Sequence, residues 1–180
     1  MYYSVEGLLK SNKPFAVIIL AAGKGTRMKS DLPKVLHEIN DKPMVGHVID
    51  TSKHIGATEI VTVIGYKSEL VKKTMGNSGT KFVLQKEQLG TGHAVKQCDS
   101  ILSDFEGDII VLSGDVPLIS AQTLTNLLSN HNDSDNSATI LTASIDDPHG
   151  YGRVIRSADG SLNKIVEHKD ANTDELKINE

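Results

Sequence analysis

The sequence predicts an α/β protein, with a Rossmann-like, mainly parallel sheet flanked by helices. Apolar, β-prone runs alternate along the chain with amphipathic helical patterns, as they do in parallel sheets. The first run is followed directly by a glycine-rich loop, which commonly binds an anion in such folds. The chain has 180 residues, 38% of them hydrophobic, which is enough to bury a core of ordinary size.

The predicted strands cover residues 16–20, 59–64, 81–84, 108–112 and 138–145. Amphipathic helical patterns lie between most of them. The first follows Pro43, a residue suited to the first position of a helix, and ends near Gly56. The apolar positions of the three helical patterns are Met44, Val45, Val48, Ile49 and Ile55; Ala94, Val95, Cys98, Ile101 and Leu102; and Leu124, Leu127 and Leu128 behind a Ser120 cap. Each set shares one helix face, which should pack on the sheet.

A different pattern begins late in the chain. The stretch "GRVIRSADGSLNKIV" is two short β runs around Asp159-Gly160. Such a dipeptide between β runs predicts a hairpin.

The charge and the apolar content of the sequence limit the classes of partner that the protein is expected to bind. A net charge of −4 and a pI near 6.0 argue against binding to nucleic acid or to anionic membranes, which favour a basic excess. No apolar run has the length of a membrane span, and the first residues lack the pattern of a secretory signal. We therefore expect no nucleic-acid or membrane partner and a cytoplasmic protein. Cys98, the one cysteine, cannot form an internal disulfide and is expected in the core.

The stretch "VIILAAGKGTRM" predicts a phosphate site. Main-chain N–H groups of a glycine loop bind anions, and Lys24 and Arg27 add positive charge. The spacing of a Walker A loop is absent. A dinucleotide motif fails as well, because Met28 stands at the third glycine position and no acidic residue ends the second strand. The alternative is a tight turn that needs glycine only for its geometry.

Two further residues support the phosphate interpretation. Lys34 in "LPKVL" adds a cation near the glycine loop. Asp115 directly follows a strand, at the edge where open α/β sheets bind ligands, and one such carboxylate together with substrate phosphates suits Mg²⁺. The alternative for Asp115 is a cap of the turn before Pro117. The histidines do not have zinc spacing and are interpreted as surface or packing residues: His37, His47, His54 and His93.

The motif "LAAGKGTRM….PK" resembles that of nucleotide-sugar pyrophosphorylases and related nucleotidyltransferases. The stretches "LQKEQLGTGHA", "GDVPLIS", "DPHGYGR" and "IVEHKDA" narrow the resemblance to the N-terminal uridylyltransferase domain of the bacterial bifunctional GlmU family. The similarity covers nearly all of residues 15–180. It implies a nucleotidyltransferase domain at residues 15–180, cut short at its C-terminus. Because Pro14 stands directly before the first strand, residues 1–14 are expected to form an N-terminal arm or a short helix outside the main pattern. The family's acetyltransferase β-helix is not in this sequence.

The resemblance also implies an activity. UTP and N-acetylglucosamine 1-phosphate would give UDP-N-acetylglucosamine and pyrophosphate with the cofactor Mg²⁺, for peptidoglycan and lipopolysaccharide precursors. The full-length protein would be a homotrimer through the missing C-terminal domain. Two alternatives stay open. One is a nucleotidyltransferase for another sugar phosphate or base, and the other is a noncatalytic nucleotide-binding fragment.

The same resemblance assigns roles to residues. Arg27 and Lys34 would be catalytic and bind phosphates, and Asp115 would hold the metal. The nucleotide-binding set is Leu20, Ala21, Ala22 and Gly23 beside the nucleoside, Lys34, and Gln85, Gly90 and Thr91 at the uracil. The sugar-binding set is Gly114, Gly152 and Glu167, so the late hairpin would form the sugar side of the cleft. A side-chain amide such as that of Gln85 offers a donor and an acceptor to an imide edge, although a surface glutamine is the plainer interpretation.

Overall fold

The computed structural model describes residues 13–25, 28–134 and 136–180. The chain divides into two compact units, Met1–Asp135 and Asn136–Glu180. Most of the predicted N-terminal arm lies outside the described residues. Among the helices that are described, none has the length and apolar character needed to cross a membrane.

The first unit contains most of the regular structure. Its elements are β1 Phe15–Ala21, a 3-10 helix Lys34–Leu36, β2 Glu38–Ile39, β3 Lys42–Pro43, α1 Met44–His54, β4 Glu59–Ile64, α2 Ser68–Met75, β5 Lys81–Leu84, α3 Thr91–Lys96, α4 Asp99–Leu102, β6 Asp108–Ser113 and α5 Ala121–Asp133. Strands β2 and β3 form a small antiparallel pair. The other strands form the main sheet.

The main sheet is parallel and has the strand order β5-β4-β1-β6. Its registers place Ala16 beside Glu59 and Phe15 beside Asp108. Going along the chain, the sheet first grows from β1 through β4 to β5, and β6 then returns to the other side of β1. The order therefore reverses between β1 and β6, and open α/β sheets bind ligands at such a reversal.

Both faces of the sheet are covered by helices. Side chains alternate along a strand, so β1 contributes to two cores. Val17 and Ile19 belong to the cluster that includes residues of α1, α2 and α5. Ala16 and Ile18 belong to the cluster that includes residues of α3 and α4. These two layers confirm the predicted fold class, a Rossmann-like parallel sheet with flanking helices.

The predicted helices form with two differences. Helix α1 buries its predicted apolar face and is followed by Gly56 at φ 87°, but Pro43 is its N-cap and not its first helical residue. The second predicted apolar face is divided between α3 and α4, because main-chain N–H groups of Gln97 and Cys98 bond to carbonyls three residues earlier. Ser120 caps α5 as predicted, and its hydroxyl accepts a hydrogen bond of 3.0 Å from the Thr123 N–H.

The strand predicted at residues 138–145 is wrong. This segment has no strand in the structure. The N–H of Ile145 donates to the Asn179 carbonyl at 2.9 Å, and Leu141 is 54% exposed. High β propensity indicates that a segment suits a half-buried sheet surface. A strand forms only where a neighbouring strand is available to pair with it.

The second unit is built around the predicted hairpin. Strands β7 Arg153–Arg156 and β8 Leu162–Val166 pair antiparallel, and Gly160 in the turn has φ 84°. A 3-10 helix, Glu175–Lys177, follows. Glu180 then joins three parts of this unit. Its carboxylate accepts hydrogen bonds from Arg156 and Thr142, and its carbonyl accepts one from the Val154 N–H.

Cys98 is buried on the α3–α4 face of the sheet, as expected, with 1% of its surface exposed. Burial, and to a lesser extent the neighbouring Asp99 carboxylate, raise the pKa of its thiol to about 11. The thiol is therefore protonated at neutral pH.

Candidate functional site

The candidate site lies where β1 and β6 end side by side. The Gly114 N–H donates to the Leu20 carbonyl at 2.9 Å, so the two strand ends are tied together at the point where the strand order reverses. A side chain on Gly114 would lie 3.1 Å from the same carbonyl, which leaves little room for one. This close contact places Asp115 beside the glycine loop that follows β1, of which the structure describes residues 22–25 and 28.

Lys34 and Asp115 meet at this edge. Lys34 Nζ lies 2.6 Å from Asp115 Oδ2, and about a third of each side chain is exposed. Gly25 brings the glycine loop to the same place. It has φ 65°, and a Cβ atom there would lie 2.6 Å from the Cβ of Lys34. The structure thus assembles three parts of the predicted phosphate site that are separated in sequence.

The acidic groups near this edge fit Mg²⁺ only in combination with a substrate. Among the described residues, no cluster of three or more His, Cys, Asp or Glu side chains is arranged to hold a metal ion. Asp115 offers one carboxylate, and its Oδ2 is paired with Lys34. Because Mg²⁺ often takes one or two carboxylates and completes its shell with phosphates and water, this donor set suits a metal that arrives with a nucleotide.

The turn after β4 supports the glycine loop, a feature that the sequence analysis missed. The Tyr66 N–H donates to the Ala22 carbonyl at 3.1 Å. Gly65 allows this approach, since a Cβ atom there would lie 2.8 Å from the same oxygen. Lys67 Nζ donates to the Asp31 carbonyl at 2.6 Å. The available signal was the sequence Gly-Tyr-Lys directly after a buried strand, at the edge where open α/β sheets bind ligands.

Two lysine side chains lie close to Tyr66 in the turn after β4. The ammonium groups of Lys24 and Lys67 lie 5.5 and 5.6 Å from the centre of the Tyr66 ring, within the range of cation–π attraction. A cleft of about 450 Å³ lies beside them and is lined by Lys24, Lys29, Ser30 and Asp31. Arg27, the other predicted catalytic cation, lies outside the described residues.

Gln85 follows β5 and is held in a hydrogen-bonded network. It is not a surface glutamine, because only 3% of its surface is exposed. Its Nε2 lies 3.1 Å from the Gly90 carbonyl oxygen and 3.0 Å from Nδ1 of His93. Gly90 has φ 103°, a conformation that favours glycine. The structure thus brings together Gln85 and Gly90, two members of the predicted uracil-binding set, and adds His93 to them.

The remaining predicted sugar-binding residues belong to the second unit. Gly152 immediately precedes β7, and Glu167 immediately follows β8. Glu167 is exposed, and its carbonyl accepts a hydrogen bond of 2.9 Å from the Asp170 N–H. Their contact with a sugar stays a prediction.

A doubly wound parallel sheet with a glycine loop, a lysine and an aspartate at its strand reversal defines a nucleotide-binding α/β domain. Residues 17–166 match the family model of the MobA-like NTP transferase domain. The chain therefore belongs to this family of nucleotidyltransferase domains. The match includes both the glycine loop and the late hairpin.

The curated relatives are longer than this chain. Bifunctional protein GlmU of Bacillus cereus strain AH187 is 53% identical over 163 residues, which are 91% of this chain and 35% of that protein. The chain therefore spans about a third of the length of the curated relatives it matches. This similarity includes the N-terminal domain that the sequence motifs resemble.

Solved structures share the fold. HddC from Yersinia pseudotuberculosis, solved in complex with GMP-PN, has a TM-score of 0.65 and 27% identity, covering 84% of this chain and 68% of that one. A putative glucose-1-phosphate thymidylyltransferase from Bacillus anthracis has a TM-score of 0.70 and 22% identity, covering 86% and 64%. The second likeness extends to the fold alone.

Proposed function

We propose that this chain carries the uridylyltransferase activity that forms UDP-N-acetylglucosamine and pyrophosphate from UTP and N-acetylglucosamine 1-phosphate. The observation that carries the proposal is the Lys34–Asp115 pair at the strand reversal, 2.6 Å apart and next to the glycine loop. The 53% identity to GlmU of Bacillus cereus supports the choice of substrates. The product would serve peptidoglycan and lipopolysaccharide synthesis in the cytoplasm.

The reaction needs positioning and charge compensation more than a protein nucleophile. A phosphate oxygen of the sugar phosphate attacks the α-phosphorus of UTP. The bond from that phosphorus to the bridging oxygen breaks, and pyrophosphate leaves with the electron pair. Lys34, with Arg27, would stabilise the negative charge that grows on the leaving group.

Asp115 is the residue that would hold Mg²⁺ together with the nucleotide phosphates. A bound Mg²⁺ would neutralise phosphate charge and orient the triphosphate. The structure supports a shared role for the two side chains, because Lys34 now compensates the carboxylate that the metal would use. A lysine released from Asp115 would then be close to the phosphates that arrive with the metal.

Base and sugar recognition follow from the remaining residues. Gln85, Gly90 and Thr91 would read uracil, and the main chain of residues 20–23 would border the nucleoside. Gly114, Gly152 and Glu167 would contact the N-acetylglucosamine moiety. In the full-length protein, a C-terminal domain outside this sequence would form the homotrimer.

One observation favours a second candidate. HddC, which shares the fold at 27% identity, is solved with a guanine nucleotide analogue, GMP-PN. A transferase of this family that uses another nucleoside triphosphate or sugar phosphate is therefore the alternative. It predicts turnover with GTP, CTP or dTTP in place of UTP.

The test is pyrophosphate release by the chain with N-acetylglucosamine 1-phosphate, Mg²⁺ and each nucleoside triphosphate in turn. We expect release with UTP, and a loss of at least a hundredfold in kcat for Asp115→Ala because its metal ligand is gone. Asp104→Ala, which removes an exposed aspartate after α4, is the matched control and should keep full activity.

Each other outcome has a defined meaning. Near-normal Mg²⁺-dependent activity of Asp115→Ala would contradict the role of this residue. Selective release with another triphosphate would support the second candidate. UTP binding without release of pyrophosphate would identify a noncatalytic nucleotide-binding module.

A further inference from the structure

The Gly90 carbonyl fixes the orientation of the Gln85 amide. This oxygen already accepts the first hydrogen bond of α3, from the Ala94 N–H at 3.1 Å, and it lies 3.1 Å from Gln85 Nε2. A carbonyl oxygen only accepts hydrogen bonds, so the amide atom facing it must be the NH₂ group. The oxygen of the Gln85 amide must therefore point elsewhere.

His93 takes the second hydrogen of the same NH₂ group. Its Nδ1 lies 3.0 Å from Gln85 Nε2. Because the amide nitrogen is a donor, Nδ1 must be the acceptor, and a neutral imidazole that accepts at Nδ1 carries its proton on Nε2. Both donor hydrogens of Gln85 are thus used inside the protein, one by Gly90 and one by His93.

Gln97 lies on the far side of the imidazole. Its side-chain amide lies 3.1 Å from His93 Nε2 and also 3.1 Å from the His93 carbonyl. The carbonyl only accepts hydrogen bonds, so, by the rule applied to Gln85, the Gln97 atom facing it is the NH₂ group, which donates to that carbonyl. With the His93 proton on Nε2, the contact between this NH₂ group and Nε2 is not a hydrogen bond, so the tautomer rests on Gly90 and Gln85 alone.

The Gln85 oxygen is left as a single, oriented acceptor. Within the described part of the chain, no hydrogen bond ends on Gln85 Oε1. Fully buried side-chain atoms without a partner are known in this structure, and Gln85 Oε1 is not one of them. Since Oε1 has no partner among the described residues either, it must belong to the small part of Gln85 that is exposed. An oriented acceptor on a largely buried side chain binds a ligand N–H and disfavours a ligand atom that is itself an acceptor.

We propose that His93 is a positioning residue for base recognition: it accepts a hydrogen bond from Gln85 and thereby fixes Oε1 as the acceptor for the imide N–H of the base. The inference rests on the proposed function, in which Gln85 reads uracil. Uracil carries a hydrogen at N3, whereas cytosine has an acceptor there. A Gln85 amide that could turn would offer NH₂ to cytosine, and His93 opposes that turn.

The experiment compares His93 variants by their preference for UTP over CTP, measured as the ratio of kcat/KM values in pyrophosphate release. His93→Ala should lower this ratio at least tenfold by raising KM for UTP, while KM for N-acetylglucosamine 1-phosphate stays unchanged. His93→Asn should restore the preference, because its Oδ1 accepts near the position of Nδ1. His93→Gln should not, because its acceptor reaches the position of Nε2.

Controls separate this inference from the function on which it rests. His54→Asn changes an exposed histidine of α1 and should leave the ratio unchanged. Thermal unfolding of every variant identifies a folding defect, and the comparison of His93→Asn with His93→Gln decides the matter if His93→Ala does not fold. Equal base preference in these two variants would overturn the role of His93 and leave the proposed function standing. A wild-type chain with no preference for UTP would overturn both.

Discussion

Gly25 combines two requirements at a single residue. Its φ of 65° favours glycine, and a Cβ atom would lie 2.6 Å from the Cβ of Lys34. Gly25→Ala should therefore destabilise the chain by about 1–3 kcal/mol, from backbone strain and overlap together. It should also displace Lys34 and lower kcat at least tenfold. Urea unfolding and pyrophosphate release measure the two effects.

Gly92→Ala is the matched control for stability. Gly92 lies within α3, and an added Cβ atom would meet nothing within 4 Å. This substitution should raise stability by roughly 0.5–1 kcal/mol, because alanine suits a helix better than glycine. If both variants lost the same stability, the contact between Gly25 and Lys34 would not be the cause.

The sequence predicted single residues where chemistry depends on residue type and strand position. Lys34 and Asp115 could be predicted as phosphate and metal ligands because Lys34 adds a cation near the glycine loop and Asp115 directly follows a β run, and both roles stay predictions. His93 could not be assigned in this way. Its role depends on the distance from Nδ1 to Gln85, eight residues away across a turn, and spacing alone does not determine that distance.

At the scale of elements, the N-cap of α5 offers a direct test. Ser120 Oγ accepts a hydrogen bond from the Thr123 N–H at 3.0 Å, which satisfies a main-chain donor that the helix cannot. Ser120→Ala should lower the free energy of unfolding by about 1 kcal/mol, measured by urea titration. Ser129→Ala, within the same helix, should change it by no more than about 0.5 kcal/mol. A smaller loss for Ser120→Ala than for Ser129→Ala would contradict the capping role.

Elements were predictable where periodicity was long and locally consistent. Helices α1 and α5 have clear apolar faces, and the paired strands of the main sheet lie where their β runs do. Two features depended on more than local pattern. The break between α3 and α4 leaves the apolar face intact, so periodicity does not indicate it. Residues 138–145 have β propensity, but a strand also requires a pairing partner.

At the scale of the whole molecule, Glu180 makes the second unit sensitive to acid. Hydrogen bonds from Arg156, and then from Thr142, lower the pKa of Glu180 from 4.5 to about 2. A carboxyl group whose pKa is lower in the folded state stabilises that state above its unfolded pKa and loses this effect as the pH falls. The contribution of Glu180 is therefore complete above pH 4.5 and is lost as the pH approaches about 2.

Proton NMR of Arg156 and of the Val154 amide should follow this titration, with a midpoint near pH 2 in the wild-type chain. Glu180→Gln should abolish that titration and weaken protection of the Val154 amide from hydrogen exchange at neutral pH. Glu106→Gln, an exposed glutamate of the first unit, should leave both signals unchanged. A midpoint near pH 4.5 would show that the two hydrogen bonds do not hold the carboxylate in solution.

The rate at which the buried Cys98 thiol is modified reports how often the first unit opens. With a pKa of about 11, roughly one thiol in a thousand is ionised at pH 8, and its burial keeps reagents away. A thiol-specific reagent can modify Cys98 only when α3 and α4 lift from the sheet. Because α3 also carries His93, a nucleotide bound to Gln85 would stabilise the packing of α3 and α4 on the sheet. The rate of thiol modification would then decrease as more nucleotide is bound, so this rate measures binding without a labelled nucleotide.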